Sequence, residues 1–178
     1  LFGQALEEAG GDPRAARLYE QVLRRREKWS ELARVLLEAA ERAPDDEDKV
    51  HLFLRAARVL RHQLGDHGRA AACYERVLDL RPGHSEAMSY LVAHFTEAEE
   101  WDHLVALYED ALRSRGKLED EAGTLLQLGM VHWRFRSSPA DAEPYFARLR
   151  KMDPAHPGML DFYREYLKDA EDEQRWVT

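Results

Sequence analysis

The side chains of this chain that could do chemistry are eight histidines, one cysteine and many carboxylates. The histidines lack the paired spacing that places two zinc ligands on one helix face, and no glycine-rich phosphate-binding loop is present. The serines and Cys73 have no base with an orienting partner, and a single cysteine cannot form an internal disulfide. Cys73 falls on an apolar helix face, which predicts core packing. We therefore predict no enzyme activity, no catalytic residue, no metal site and no cofactor.

Composition and charge narrow the class of partner. The 178 residues are 44% hydrophobic and 34% charged, with a formal net charge of −8, so a general affinity for nucleic acid or anionic lipid is disfavoured. No stretch approaches the ~18 apolar residues of a membrane-spanning helix, and we predict a cytoplasmic protein.

The chain opens at Leu1 rather than Met, which favours a piece of a longer protein. The absence of Ile and Asn and the excess of Arg over Lys favour a bacterium with a GC-rich genome.

An aromatic residue beside an arginine gives the strongest candidate for binding. Leu126, Met130, Trp133 and Arg134 follow the spacing i, i+4, i+7 and i+8, which places them on one face of a helix. An exposed tryptophan flanked by arginine is the usual chemistry of an interface hot spot. We therefore predict that these four residues form the exposed centre of a binding surface. An adjoining repeat or a dimer mate remains an alternative cover for that face.

An internal repeat supplies the elements that position these residues. Sliding the sequence by 72 residues superimposes several pairs of large, small and turn-forming residues. The pairs include Trp29 with Trp101, Leu32 with Leu104, Ala70 with Ala142, Tyr74 with Phe146, Pro82 with Pro154 and His84 with His156. Each block divides into two units of about 36 residues, close to the period of helical-hairpin repeats.

Each unit is predicted to be a pair of helices, A and B. Between Val50 and Leu64 the apolar residues recur at helical spacing, which predicts a helix A with a wide apolar stripe. Gly65 and Asp66 supply a chain reversal, and a second apolar pattern up to Pro82 predicts helix B. No segment shows the alternation that is typical of strands.

The pattern resembles the tetratricopeptide repeat (TPR) superfamily over essentially the entire chain. The residues of helix A that carry the resemblance in one unit are Leu125, Leu128, Gly129 and His132, and those of helix B are Ala142, Phe146 and Pro154. The resemblance implies an all-α fold: an α-solenoid of antiparallel helix-turn-helix repeats that form a right-handed superhelix.

We predict a single array over residues 1–178. It consists of a partial hairpin at 1–26, a lone B-type helix at 27–44, hairpins at 47–82, 84–117 and 118–153, and helix A of a further repeat at 156–172. Between Leu23 and Trp29 about 17 residues, one whole helix A, are missing from the repeat pattern. We favour a break in the chain there over fusion of the two flanking segments into one long helix.

The resemblance also implies a binding surface, because TPR arrays hold partners on the exposed positions of their A helices. Carrying those positions through each unit gives a surface that runs from basic through neutral and apolar to acidic. The predicted partner-binding residues are Arg58, Arg61, His62, Ser89, Glu97, Leu126, Met130, Trp133, Arg134, Asp161 and Glu165.

The predicted function is a protein–protein interaction scaffold or adaptor that binds a partner protein or peptide. Similarity to long multi-TPR proteins of GC-rich bacteria favours assembly or regulation of a larger complex, with a small Ras-like GTPase or a motility or secretion component as partner. The carboxylate clamp of some TPR domains needs Asn, which this chain lacks. Two alternatives stay open: a substrate-recruiting extension of a larger enzyme, and an RNA-binding array that uses Arg55, Arg58 and Arg61. A homo-oligomer also stays open.

Overall fold

The structure, a computed structural model, describes the backbone of residues 13–113 and 120–176. Side chains are described for residues 18, 20–113 and 120–168. Every regular element in the described residues is a helix. The chain divides into two compact units, Leu1–His94 and Phe95–Thr178, which we call the first and second unit.

The first unit contains α1 (Pro13–Arg25), α2 (Trp29–Arg42), α3 (Asp46–Val59), α4 (His67–Leu80) and most of α5 (Ser85–Glu97). Aspartate side chains start two of these helices: Asp45 accepts from the backbone N–H of Glu47, and Asp66 accepts from that of Arg69. Gly65 ends the preceding helical segment at φ +62°, a conformation that glycine adopts without steric cost. The chain reversals at these positions therefore follow from the residue types in the sequence.

Helix α3 is the centre of the first unit, because it packs against both α2 and α4. Its apolar stripe is buried along its length, as the helical spacing predicts. The buried residues of the three helices include Leu32, Leu36, Val50, Phe53, Ala56, Ala57, Ala70, Tyr74 and Val77. Short connections make consecutive helices antiparallel neighbours, so α3 and α4 form a helix A–helix B hairpin.

The second unit repeats this arrangement with α6 (Trp101–Arg113), α7 (Glu121–Met130), α8 (Pro139–Met152) and α9 (Pro157–Trp176). Helices α7 and α8 form the hairpin. Its core joins residues from α7 and its extension, α8 and α9: Leu125, Trp133, Ala142, Phe146, Leu149, Met159 and Phe162. Helix α9 thus completes the core of the second unit.

Helices α3 and α7, which are the A helices of the two hairpins described above, each end in a π-helical turn that the sequence pattern did not predict. The turns are Leu60–Leu64 after α3 and Val131–Phe135 after α7. Bonding from i to i+5 places an extra residue in the turn, so the residues beyond it lie on a different face than in an uninterrupted α-helix. Phe135, the last residue of the second turn, stacks on Trp101 with ring centroids 4.4 Å apart.

Both interpretations of the segment between Leu23 and Trp29 are wrong. The Lys28 N–H donates to the Leu23 carbonyl at 2.9 Å, so the backbone is continuous and no helix is missing there. The helices are not fused either, because Glu27 has φ +53° and separates α1 from α2. The two helices contact each other directly. The repeat pattern misled because it required a helix A before every helix B.

Ala70 and Ala142 hold the positions where the two helices of a hairpin meet. Both are fully buried, as predicted. We expect Ala70→Leu and Ala142→Leu each to lower the free energy of unfolding by about 1–3 kcal/mol, because a closely packed core has no space for the added atoms. Urea unfolding followed by circular dichroism measures the change. Ala106→Leu, at an exposed position of α6, is the control and should change stability by less than about 0.5 kcal/mol.

Within the described residues, the predicted all-α fold of helical hairpins is confirmed. The exact division into hairpins stays a prediction, as does the superhelical sense. Residues 1–12 of the first predicted segment and the boundary between 84–117 and 118–153 lie outside the described residues. No helix in the described part of the chain is long and apolar enough to cross a membrane.

Candidate partner-binding surface

The predicted residues of the first unit lie on one exposed side of α3 and α5. Arg58, Arg61 and His62 are exposed on α3 and its π-helical turn, and Ser89 is exposed on α5. We call these four residues the α3–α5 surface. An ion pair ties its two helices together.

That ion pair joins Arg58 of α3 to Glu86 of α5. The Arg58 Nε donates to Glu86 Oε1 at 2.9 Å, and a second bond from Nη2 makes the contact bidentate. The hydrogen bond from Arg58 lowers the pKa of the Glu86 carboxyl, and the same bond raises the pKa of Arg58. Glu86 therefore already neutralises Arg58, whose charge is not available to a partner.

Arg61 is held differently, against an aromatic ring. Its guanidinium carbon lies 5.0 Å from the centroid of the Tyr90 ring, within the range of a cation–π contact. The Tyr90 ring lies 4.5 Å from that of Tyr74, and its hydroxyl donates to the His67 carbonyl at 3.1 Å. Because Tyr90 is fixed on both sides, it holds the Arg61 guanidinium at a defined place on the surface.

Within the described residues, neither Arg61 nor His62 lies within salt-bridge distance of a carboxylate. In the second unit, the residue at the position equivalent to His62 has an acidic partner. Arg134 stands 72 residues after His62, and it pairs with Glu165 at 3.2 Å. Glu165 stands 72 residues after Ala93, which has no charge. The first unit thus leaves two adjacent basic side chains without the acidic partner that the second unit supplies.

The predicted role of Trp133 as an exposed hot spot is wrong. Only 9% of Trp133 is exposed, and its ring packs edge-on against Phe162 at 5.3 Å and Phe146 at 6.2 Å. Arg134 covers its remaining face, with the guanidinium carbon 3.5 Å from the ring centroid. Trp133 is a core residue of the second unit.

Two physical causes explain the burial of Trp133. The π-helical turn begins at Val131, so the α-helical spacing that put Trp133 on the same face as Leu126 does not extend to it. In addition, α9 supplies Met159 and Phe162, which cover the face. The alternative that an adjoining repeat covers these apolar residues is therefore correct for Trp133.

Leu126 and Met130 are also partly buried, because both pack against the core that α9 completes. A Cβ at Gly158 of α9 would lie 2.9 Å from the Leu126 Cδ1, so a larger residue there would require the Leu126 side chain to shift. The predicted apolar centre of the surface is thus a helix–helix contact within the second unit.

Three of the charged residues predicted for the second unit form ion pairs. Arg134 binds Glu165, as described above, and Asp161 accepts from Arg164 at 2.9 Å. Glu97 is exposed near the end of α5. Of the predicted arginines, Arg61 is therefore the one without a carboxylate within salt-bridge distance in the described residues.

Tyr90, which is buried beneath Arg61, is the residue of this site that sequence reasoning missed. The internal repeat carried a usable signal, because Tyr90 aligns with Phe162, and Arg61 with Trp133, after a shift of 72 residues. Both pairs are in contact: Arg61 lies on Tyr90, and Trp133 packs on Phe162. The same junction between helices is apolar in the second unit and polar in the first.

No arrangement for catalysis emerges from the described residues. They contain no group of three or more His, Cys, Asp or Glu side chains that could hold a metal ion. Burial raises the pKa of the Cys73 thiol to about 11, which disfavours the reactive thiolate form at neutral pH. Cys73 is buried, as its core assignment predicted.

No protein-family model matches the chain, and no curated protein matches it in sequence. Among solved structures it is similar to that of pilF from Pseudomonas aeruginosa, at 19% identity and a TM-score of 0.45, over 92% of this chain and 71% of that one. It is also similar to the crystal structure of MamA, at 13% identity and a TM-score of 0.44, over 88% and 96% of the two chains. A MamA RS-1 double mutant aligns at 17% identity and a TM-score of 0.44, over 88% and 93%.

Proposed function

We propose that this chain is a non-catalytic protein-interaction module that captures an acidic segment of a partner protein on the α3–α5 surface. Arrays of helical hairpins use the exposed faces of their helices for binding, which supports the general role. The segment is acidic because the side chains presented to it are basic.

The observation that carries the proposal is the contrast between Arg58 and Arg61. Glu86 neutralises Arg58, whereas Arg61 rests on Tyr90 with its guanidinium exposed. An arginine held by an aromatic ring loses little side-chain freedom when it binds, and its fork of N–H donors matches a carboxylate. The protein as a whole carries −8, so this basic site is local and selects its partner by geometry as well as by charge.

The RNA alternative loses most of its basis. Of the three arginines in the predicted basic stripe, Arg58 pairs with Glu86 and Arg55 pairs with Glu20. One uncompensated arginine does not form the extended positive track that a phosphate backbone needs. The wider role predicted from the sequence, in assembly or regulation of a bacterial complex with a GTPase, motility or secretion partner, stays a proposal.

A random peptide library displayed on phage tests the proposal without knowledge of the partner. We expect peptides selected on the wild-type protein to be enriched in Asp and Glu. Arg61→Glu should weaken their binding at least about tenfold, because a charge-assisted hydrogen bond contributes about 1.5–3 kcal/mol. Arg76→Glu is the matched control, since Arg76 is also an exposed arginine above an aromatic ring, that of Phe53, at 5.7 Å.

Equal binding of the selected peptides to the wild type and to Arg61→Glu contradicts the proposal. Selection of peptides without acidic residues contradicts it as well. Thermal melts of both variants establish that they are folded before binding is compared.

A further inference from the structure

Helix α9 exposes a face that helices α3 and α7 bury. In the hairpin pattern, four equivalent positions of these helices face helix B. They are Phe53, Ala56, Ala57 and Leu60 in α3 and its turn; Leu125, Leu128, Gly129 and His132 in α7 and its turn; and Leu160, Tyr163, Arg164 and Leu167 in α9. All eight residues of the first two sets are buried. In α9, Leu160 is 45% exposed and Leu167 is 57% exposed, and no helix of the described part of the chain covers them.

The third position of the set decides what can cover this face. In α7 it is Gly129, where a Cβ would lie 2.8 Å from the ring of Phe146 on helix B. In α9 it is Arg164, a long and exposed side chain. A side chain as long as that of Arg164 at this position disfavours the close approach of an aromatic ring that Gly129 allows in α7.

Three basic and two acidic side chains surround the face; the acidic ones are Asp161 and Glu143, which accepts a hydrogen bond from the Tyr163 hydroxyl at 3.1 Å. Arg164 and Lys168 line a shallow depression together with Leu160, Tyr163 and Leu167. Arg150 of α8 adds a third positive charge, with its guanidinium carbon 5.1 Å from the centroid of the Tyr163 ring. Arg164 pairs with Asp161 within α9, but both side chains are mostly exposed, and a carboxylate of a partner can replace such a contact at little cost.

We propose that this face of α9 binds an amphipathic helix of another protein that carries a carboxylate between two apolar residues. The apolar residues would cover Leu160 and Leu167, which lie two helical turns apart on α9. The carboxylate would meet Arg164, which lies between them. This site belongs to the second unit and uses none of the residues of the α3–α5 surface.

A second copy of α9 fits this face poorly. In an antiparallel pair related by a two-fold axis, Leu160 of one copy would face Leu167 of the other. Arg164 would then lie beside Arg164 of the other copy, where like charges repel. The charges thus favour a foreign acidic helix over self-association.

Three alanine-rich helical peptides of about 20 residues test this proposal. All have two leucines seven positions apart; the position between them that faces Arg164 is Glu, Gln or Tyr. Fluorescence anisotropy measures the binding of each peptide to the whole chain. We expect the Glu peptide to bind at least about tenfold more tightly than the Gln and Tyr peptides. Arg164→Glu should remove that preference and favour a fourth peptide with Lys at the position.

Several outcomes contradict the proposal. Tighter binding of the Tyr peptide shows that the face accepts a hairpin-type helix. If the double variant L160S/L167S binds the peptides as tightly as the wild type, the face is not a helix-binding site. The same conclusion follows if no peptide binds. Size-exclusion chromatography with light scattering detects self-association, and a dimer that Arg164→Glu abolishes assigns the face to a second copy. Arg164 is exposed, so its variant should fold, which a thermal melt verifies.

Discussion

Trp133→Ala is expected to lower the free energy of unfolding by about 3–5 kcal/mol, the range for removal of a buried aromatic side chain. Trp133 is 9% exposed and contacts the rings of Phe146 and Phe162, so its removal leaves a cavity between α7, α8 and α9. The sequence analysis placed Trp133 at the exposed centre of a binding surface, where its removal would weaken binding and leave stability nearly unchanged. Chemical unfolding measures the difference when it is followed by far-ultraviolet circular dichroism, which reports helix content.

Arg61→Ala is the matched control, because Arg61 stands at the equivalent position of the first unit. Its cation–π contact with Tyr90 is exposed, so we expect a loss of less than about 1 kcal/mol. A Trp133→Ala protein that is as stable as the Arg61→Ala protein contradicts the burial of Trp133 and the packing of α9 on α7.

His132→Leu is expected to stabilise the protein and to remove part of its sensitivity to acid. His132 is 5% exposed, and neither of its ring nitrogens has a hydrogen-bond partner in the described residues. A buried polar group without a partner costs about 1–3 kcal/mol. Leu60 stands 72 residues earlier and is fully buried, so the fold already accommodates leucine at this position of a hairpin.

The pH dependence follows from the surroundings of His132. Burial lowers its pKa in the folded protein, and the positive charge of Arg136 adds to this effect; Asp141 and Glu109 oppose it more weakly. The unfolded chain therefore binds a proton more readily than the folded one. Stability contributed by neutral His132 is present above its unfolded pKa of about 6.5 and is lost as the pH falls below it, by up to about 1.4 kcal/mol per pH unit.

Urea unfolding at about pH 7.5 and about pH 5.5 tests both effects, because these values bracket the unfolded pKa of histidine. We expect His132→Leu to be more stable than the wild type at both, with the larger difference in acid. His51→Gln, at an exposed position of α3, is the control for loss of a histidine outside the core. A variant less stable than the wild type at the higher pH shows that His132 has favourable contacts that leucine lacks.

The helical hairpins were predictable because they depend on local patterns. Ala70 and Ala142 were assigned to close helix contacts from their spacing in the repeat, and both are fully buried. The environment of Trp133 was not predictable in this way. It depends on a π-helical turn and on contacts with α9, and neither follows from an ideal helical period.

The ion pairs explain why the binding surface predicted from the sequence differs from the surface in the structure more than the fold does. Arg58 and Glu86 are 28 positions apart, and Arg134 and Glu165 are 31 apart, so their pairing depends on which helices are neighbours. A list of exposed positions treats all these charges as available to a partner. The ion pairs within the chain distinguish Arg61 and His62, which have no acidic partner in the described residues, from Arg58 and Arg134, which do.

Chemical-shift mapping tests directly whether the α3–α5 surface captures an acidic segment. The tightest-binding acidic peptide from the phage selection would be titrated into the ¹⁵N-labelled protein. We expect the largest shifts at Arg58, Arg61, His62 and Ser89, and we expect these shifts to vanish in Arg61→Glu. Largest shifts on the outer face of α4 around Arg76, or shifts that persist in Arg61→Glu, contradict it.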